Sequence, residues 1–290
     1  MSKFVLMCFA ASAFIIASTG QSLAAGAEPA SSPNFAPDDI VGWIAVPGGF
    51  KPPANGPGPI TNDPAHPLVI NLLPNYPPSG RIQGGQQTFP VADISNPILQ
   101  PWAREELQKR NERILSGGTG FGRQASCWPM GTPGFLLQGV QPVYFVQTAK
   151  EIVMVWQEDY QTRHIYMNVP HSANVTPSWF GESVGHYEGG DTLVVDTVGL
   201  NTKTFVDQFR TPHTDQLHVV ERFHILPGGT AMEATATVED PGAFTTTWRG
   251  VQRYRRVSQG PMLENNCAEN NSAYFGMNVE PIPTANRPDF

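Results

Sequence analysis

The chain is short of cysteine, has no cluster of basic residues, and carries no long apolar run beyond its first residues. Each shortage excludes something. Lys and Arg never stand more than two in succession and the net charge is −7 at pH 7. Neither nucleic acid nor an anionic membrane surface is therefore expected as a partner. After residue 17 no stretch has the length of a membrane-spanning helix, so no membrane anchor is expected in the mature chain. A phosphate-binding glycine loop, the dinucleotide-binding glycine fingerprint, a haem-attachment C-x-x-C-H and H-E-x-x-H are all missing. The chain is accordingly expected to work without a cofactor or a metal.

What is present begins with an export signal. Lys3 precedes an apolar core over residues 4–17, and small residues around Ser22, Ala24 and Ala25 suit cleavage. Residues 1–24 read as a signal peptide, which places the mature protein in the periplasm or outside the cell. Cys8 lies inside the signal core and would leave with it. The remaining pair, Cys127 and Cys267, stands in a compartment where a disulfide persists, although two separate buried thiols fit the same count.

The mature chain divides by composition. Residues 25–94 are rich in Pro, Gly, Asn and Ser, with apolar anchors at 41–46 and 67–73. Such proline density breaks helices and sheet ladders, so the segment reads as an extended arm wrapping a core, or as a loose linker. Residues 95–258 hold one helix and then strands. The helix takes Ser95 or Asn96 as cap, Pro97 or Pro101 in its first turn, and ends at Gly117 and Gly118. Trp102, Leu107, Ile114 and Leu115 approximate its apolar face, and Glu105–Lys109 and Glu106–Arg110 sit at supportive spacing.

Strand patterns follow at 143–148, 152–158, 163–167, 184–188, 192–197, 217–225, 231–238 and 244–257. The Gly189-Gly190-Asp191 turn is the clearest hairpin signal. Strands joined this closely, with no helices between them, predict a mainly β antiparallel meander. It should close into a lipocalin-like barrel or fold as a sandwich. A barrel of about eight strands encloses room for one small ligand. Residues 259–290 read as a tail packing back on the barrel.

Strand alternation points to the chemistry. In 217–225, Leu217, Val219, Glu221, Phe223 and Ile225 share one face, so Glu221 points inward among apolar side chains. Burial there raises a carboxyl pKa and suits a general acid or base, unless a cation such as Arg163 pairs with it. Glu158, on the face of Ile152, Met154 and Trp156, is the second candidate carboxylate. Asp196 reads as a hairpin-end residue bonding turn amides. His171 and His213, beside Pro170 and Pro212, stand where a barrel mouth would be and are candidate proton partners. Alternation puts His218 and Glu221 on opposite faces, which argues against a shared metal. Gly181-Glu-Ser183-Val-Gly185 matches the nucleophile-elbow pattern, but a hairpin surrounds it, not a strand–turn–helix. Trp156, Arg163, Trp179 and Tyr187 are the expected pocket lining.

These motifs together carry a resemblance. Pro177-x-Trp179-x-Gly-x-Ser-Val-Gly, the hairpin from Glu188 to Thr197, and His213-x-x-x-Leu-His-Val-Val-Glu-Arg-Phe resemble a large group of exported, mostly uncharacterised bacterial proteins. Glu239-Asp-Pro and Cys267-x-Glu-Asn-Asn are similar to that group too, so the likeness spans about residues 97–271. It implies export and a common β fold. The chain departs from the group where Met167-Asn-Val-Pro precedes His171 in place of Asp-Gly-Arg. His186 and Tyr187 stand for Arg and Trp, the hairpin turn has an extra Gly, and Thr247 replaces a Pro. The sequence as a whole predicts a cofactor-independent acid/base enzyme, a lyase, isomerase or hydrolase, acting on a small organic molecule in a barrel cavity. A non-catalytic periplasmic small-ligand binding protein is the alternative.

Overall fold

The computed structural model describes residues 42–67, 90–116, 127–137, 141–257 and 262–267. The signal peptide, most of the 67–73 anchor, the glycines after the helix and the chain beyond residue 267 lie outside the described residues. Nine strands close into one barrel in chain order: β1 (Gly42–Ala45), β2 (Val143–Gln147), β3 (Glu151–Trp156), β4 (Gln161–Met167), β5 (Glu182–Glu188), β6 (Thr192–Val198), β7 (His218–Ile225), β8 (Ala231–Glu239) and β9 (Trp248–Val257). The mainly β barrel is the fold that strand alternation predicts. Period-2 burial shows why: in β8, Met232, Ala234, Ala236 and Val238 are buried while Glu233, Thr235 and Thr237 are only partly covered.

Two features differ from a plain antiparallel meander of eight strands. The ninth strand comes from the arm, because β1 pairs antiparallel with both β2 and β9 and so removes the open edges. And β4 pairs with β5 in parallel, Ile165 opposite Ser183, while all other pairs are antiparallel. A parallel pair needs a crossover, supplied here by residues 168–181, which pass over to bridge Ser178 with Leu200.

The arm also fills the barrel. Phe50 is buried and meets Trp248 edge-on at 6.1 Å. A Cβ on Gly250 would come within 2.7 Å of the Phe50 ring, so β9 needs glycine there for the two to meet. At the β5–β6 turn, Gly189 and Gly190 both have positive φ, +61° and +80°, which glycine adopts without steric cost.

Helix α1 (Pro101–Leu115) starts at Pro101, with Gln100 as N-cap in place of Ser95 or Asn96. Its buried stripe is Ala103, Leu107, Asn111 and Ile114. Trp102 and Leu115 lie on the exposed side, a correction to the expected face. Asn111 is buried because its amide accepts from the Ala92 N–H (2.9 Å) and donates to the Ala92 carbonyl (2.8 Å), as a strand neighbour would. Lys109 pairs with Glu105 and Glu106, whereas the Arg110 guanidinium lies 4.5 Å over the Phe205 ring. Cys127 and Cys267 form a disulfide that fastens two segments 140 residues apart in sequence.

Candidate functional site

Neighbouring residues on β4 to β8 build two polar rows, one on each face of the barrel wall. The inner row is Arg163, Ser183, Thr197 and Glu221. Ser183 stands opposite Thr197, and both side chains point inward with Arg163 and Glu221. The Arg163 guanidinium forks onto Glu221, with Nη1 donating to Oε1 at 3.0 Å and Nη2 to Oε2. It also donates from Nε to Ser183 Oγ (3.1 Å) and from Nη2 to Thr197 Oγ1 (2.8 Å). Both charged side chains are fully buried. Tyr254 lies near, with its hydroxyl donating to the Leu136 carbonyl and its pKa pushed well above the usual phenol value by burial and by the Glu221 charge.

This corrects the reading of Glu221 as a free acid or base. It does point inward, as alternation requires, but a bidentate cation closes it off. Arg163 is likewise a partner of Glu221 and not an open ligand contact. Ser183, the serine of the Gly-x-Ser-x-Gly match, is the second residue of β5, with its hydroxyl shared between Arg163 and Thr197 (3.0 Å). No strand–turn–helix elbow surrounds it.

The other expected site residues disperse. Glu158 is not on β3, which ends at Trp156; it begins a short 3₁₀ turn, Glu158–Tyr160, and is largely buried. His213 is buried in the β6–β7 loop, where Nδ1–H donates to the Thr214 carbonyl (2.8 Å) and Nε2 accepts from the Thr204 hydroxyl (2.8 Å). Burial lowers its pKa, so the neutral ring is the form that fits. Trp156 is wholly buried and donates to the Gln141 carbonyl. Tyr187 donates to Gln147 Oε1 (2.8 Å), with its hydroxyl pKa pushed up to about 12 by burial. Trp179 belongs to the crossover, tilted against Trp128 at 5.3 Å with Lys203 over its ring.

The outer row is Glu182, Asp196, His218 and Glu239, on β5, β6, β7 and β8. Val184 stands opposite Asp196 and Val220 opposite it on the other side, so Glu182 and His218 are its diagonal neighbours. His218 is directly opposite Glu239. The crossover lays His171 into this row. Its Nδ1 meets Glu182 Oε1 at 3.0 Å and its Nε2 meets Asp196 Oδ1 at 3.1 Å. His218 Nε2 meets the same Asp196 oxygen at 2.9 Å. Glu182 also accepts from the Ser172 hydroxyl and N–H, and these bonds, with His171, hold its carboxyl below the usual range. The row is half open: side-chain exposure is 26% for His171, 36% for His218 and 41% for Asp196.

Of the catalytic residues expected from the sequence, then, only His171 sits in a half-open cluster of ionisable groups. Asp196, read as bonding turn amides, instead joins two imidazoles; Glu182 and His218 complete the set. The signal for them was present in the alternation of β6 and β7, which puts Asp196 and His218 on one outer face. Among the described residues no three His, Cys, Asp or Glu side chains are placed to hold a metal ion. None of the described helices is long and apolar enough to cross a membrane.

A concavity lies apart from both rows, on the outer face of β8 and β9. A groove of about 480 Å³ runs between residues 46–54 of the arm and the side chains of Glu233, Val251 and Arg253. No protein-family model matches the chain, and no curated protein or solved structure is significantly similar to it.

Proposed function

We propose that the protein is an exported, cofactor-independent acid/base enzyme for a small organic molecule, with His171, Asp196 and His218 as its reacting groups. The observation that carries this reading is the single Asp196 oxygen facing two imidazole nitrogens while the carboxylate remains 41% exposed. Proton transfer needs a donor and an acceptor within hydrogen-bond reach of each other and of a substrate. His171 is bracketed by two carboxylates, so both contacts are hydrogen bonds only when each ring nitrogen bears a proton. In that form Nε2–H is a proton that Asp196 or a bound substrate can take. Glu182, held anionic by Ser172, orients the ring through Nδ1. With both Nε2 atoms directed at one Asp196 oxygen, the imidazoles are the acids and the carboxylate between them is the base, the division of labour of a lyase or isomerase.

The test is substrate depletion. Mature protein is incubated with a mixture of small organic acids, amines and sugars, and the mixture is followed by mass spectrometry. The wild type is expected to consume a component, and His171→Ala, Asp196→Asn and His218→Ala each to slow this by about 10²–10⁴-fold. Glu221→Gln, scored per folded molecule, should retain turnover. Turnover that survives all three substitutions overturns the site. Retention of a compound without conversion would make the chain a binding protein.

A further inference from the structure

The arm does not simply continue the β1 ladder along β9. Ala45 stands opposite Tyr254, and the Val46 N–H donates to the Arg253 carbonyl. An unbroken antiparallel ladder would next put Gly48 opposite Val251, yet Lys51 occupies that place, bonded to Val251 in both directions. The extra residues bulge away from the sheet, through Gly48 and Gly49 at positive φ, before Phe50 turns back into the barrel. The bulge makes one wall of the groove on the outer face, and Pro47, Pro52 and Pro53 give that wall an apolar lining.

Register fixes the opposite wall. Lys51 and Val251 are a cross-strand pair and so share a face. Arg253, two residues beyond Val251, lies on it too, and Glu233 is directly opposite Arg253. The groove therefore carries two cations and one carboxylate. Glu233 Oε2 accepts from Arg253 Nε at 3.1 Å, which leaves the terminal nitrogens of the guanidinium for another acceptor. Lys51 Nζ donates one bond, to the Gly48 carbonyl (3.2 Å). The balance is a surplus of positive charge beside a proline-lined hollow.

A second observation points to the same wall. Three side chains that meet residues 46–50 each hold a buried polar atom without a hydrogen-bond partner: Gln252 Oε1, Gln208 Oε1 and Trp248 Nε1. Gln252 donates its amide to the Val46 carbonyl, Gln208 packs on Gly49, and Trp248 meets Phe50. Orphaned buried polar groups carry a free-energy cost that the fold keeps only where something else is gained. Of the five such atoms among the described residues, these three belong to side chains packed against the bulge.

We infer that this groove is a binding site for a small carboxylate with a compact apolar body, held by Lys51 and Arg253 against the proline wall. Its volume falls within the range of small-molecule sites. It stands apart from the histidine row and does not depend on that row being catalytic.

Benzoate is a suitable probe, with benzamide as its uncharged counterpart. In ¹⁵N-labelled mature protein, benzoate is expected to shift amides of residues 46–54 and 251–253 saturably, and benzamide to leave them in place. Replacing both cations, Lys51→Met with Arg253→Met, should weaken benzoate at least about tenfold, as loss of charge-assisted bonds does. Both side chains are exposed, so the variant is expected to fold, which its amide spectrum reports. Equal shifts with benzamide, unchanged binding by the double variant, or no saturable shift at these residues would overturn the proposal.

Discussion

At the scale of single residues, the Arg163–Glu221 pair is where structure and energetics meet most directly. Two charges removed from water lose hydration that their mutual attraction only partly restores. Here the fork geometry and the Ser183 and Thr197 hydroxyls satisfy much of what burial took away. Removing one partner leaves the other charge buried and uncompensated. Glu221→Gln is therefore expected to lower unfolding free energy by about 3–5 kcal/mol. Replacing both, as Arg163→Met with Glu221→Leu, should recover most of that loss, because no lone charge remains. Urea unfolding of the three proteins measures both effects; a single variant as stable as the wild type would contradict the assignment. Sequence alternation made the inward direction of Glu221 legible. Arg163 is the cation named as its alternative partner, but it lies 58 residues away, and only the order of strands round the barrel decides that the two meet.

Among the elements, the β6–β7 loop, residues 199–217, shows how burial ties structure to pH. Two ionisable groups are buried in it. His213 has a lowered pKa because burial disfavours its charged ring. Asp207 has a raised one for the same reason, only partly offset by bonds from Thr211 and Phe209. The signs oppose each other. For His213, the unfolded chain binds the proton more tightly than the folded chain does. Its contribution is thus fully present above the ordinary value of 6.5 and is lost as pH falls toward the lowered folded value. For Asp207 the folded chain binds the proton more tightly, so that contribution is lost as pH rises above 3.8. Comparing the wild type with His213→Asn isolates the first. Between pH 7.5 and about 5.5, the wild-type urea midpoint should fall further than the variant's. A gap between the two that does not change with pH would refute the neutral buried ring. Helix α1 teaches a related lesson about legibility. Its existence and the Glu105–Lys109 pair follow from spacing. Its buried face follows only in half: Leu107 and Ile114 are buried as expected, but Asn111 is held inside by the Ala92 backbone, while Trp102 hydrogen-bonds the Gly242 carbonyl from the exposed side.

For the whole molecule, the decisive contacts are those that join distant parts of the chain. β1 closes the barrel from the far end of the sequence, and the Cys127–Cys267 disulfide closes a loop over a separation of 140 residues. Cysteine counting left that pairing open, since connectivity depends on where the barrel brings the two segments. In the chain-entropy account, a cross-link over so long a loop restricts the unfolded ensemble more than a short one. The stabilisation for a loop of this length is about 5 kcal/mol, before any native-state adjustment. Cys127→Ser with Cys267→Ser is therefore expected to lower the unfolding free energy by roughly 3–5 kcal/mol while keeping the barrel's far-ultraviolet circular dichroism. Reduction of the wild type should produce the same loss, and reductant should leave the double variant unchanged. Comparing reduced wild type with the serine variant separates the disulfide from any packing role of the two side chains: if the serine variant is destabilised but reduced wild type is not, the stabilisation belongs to packing and the cross-link contributes nothing.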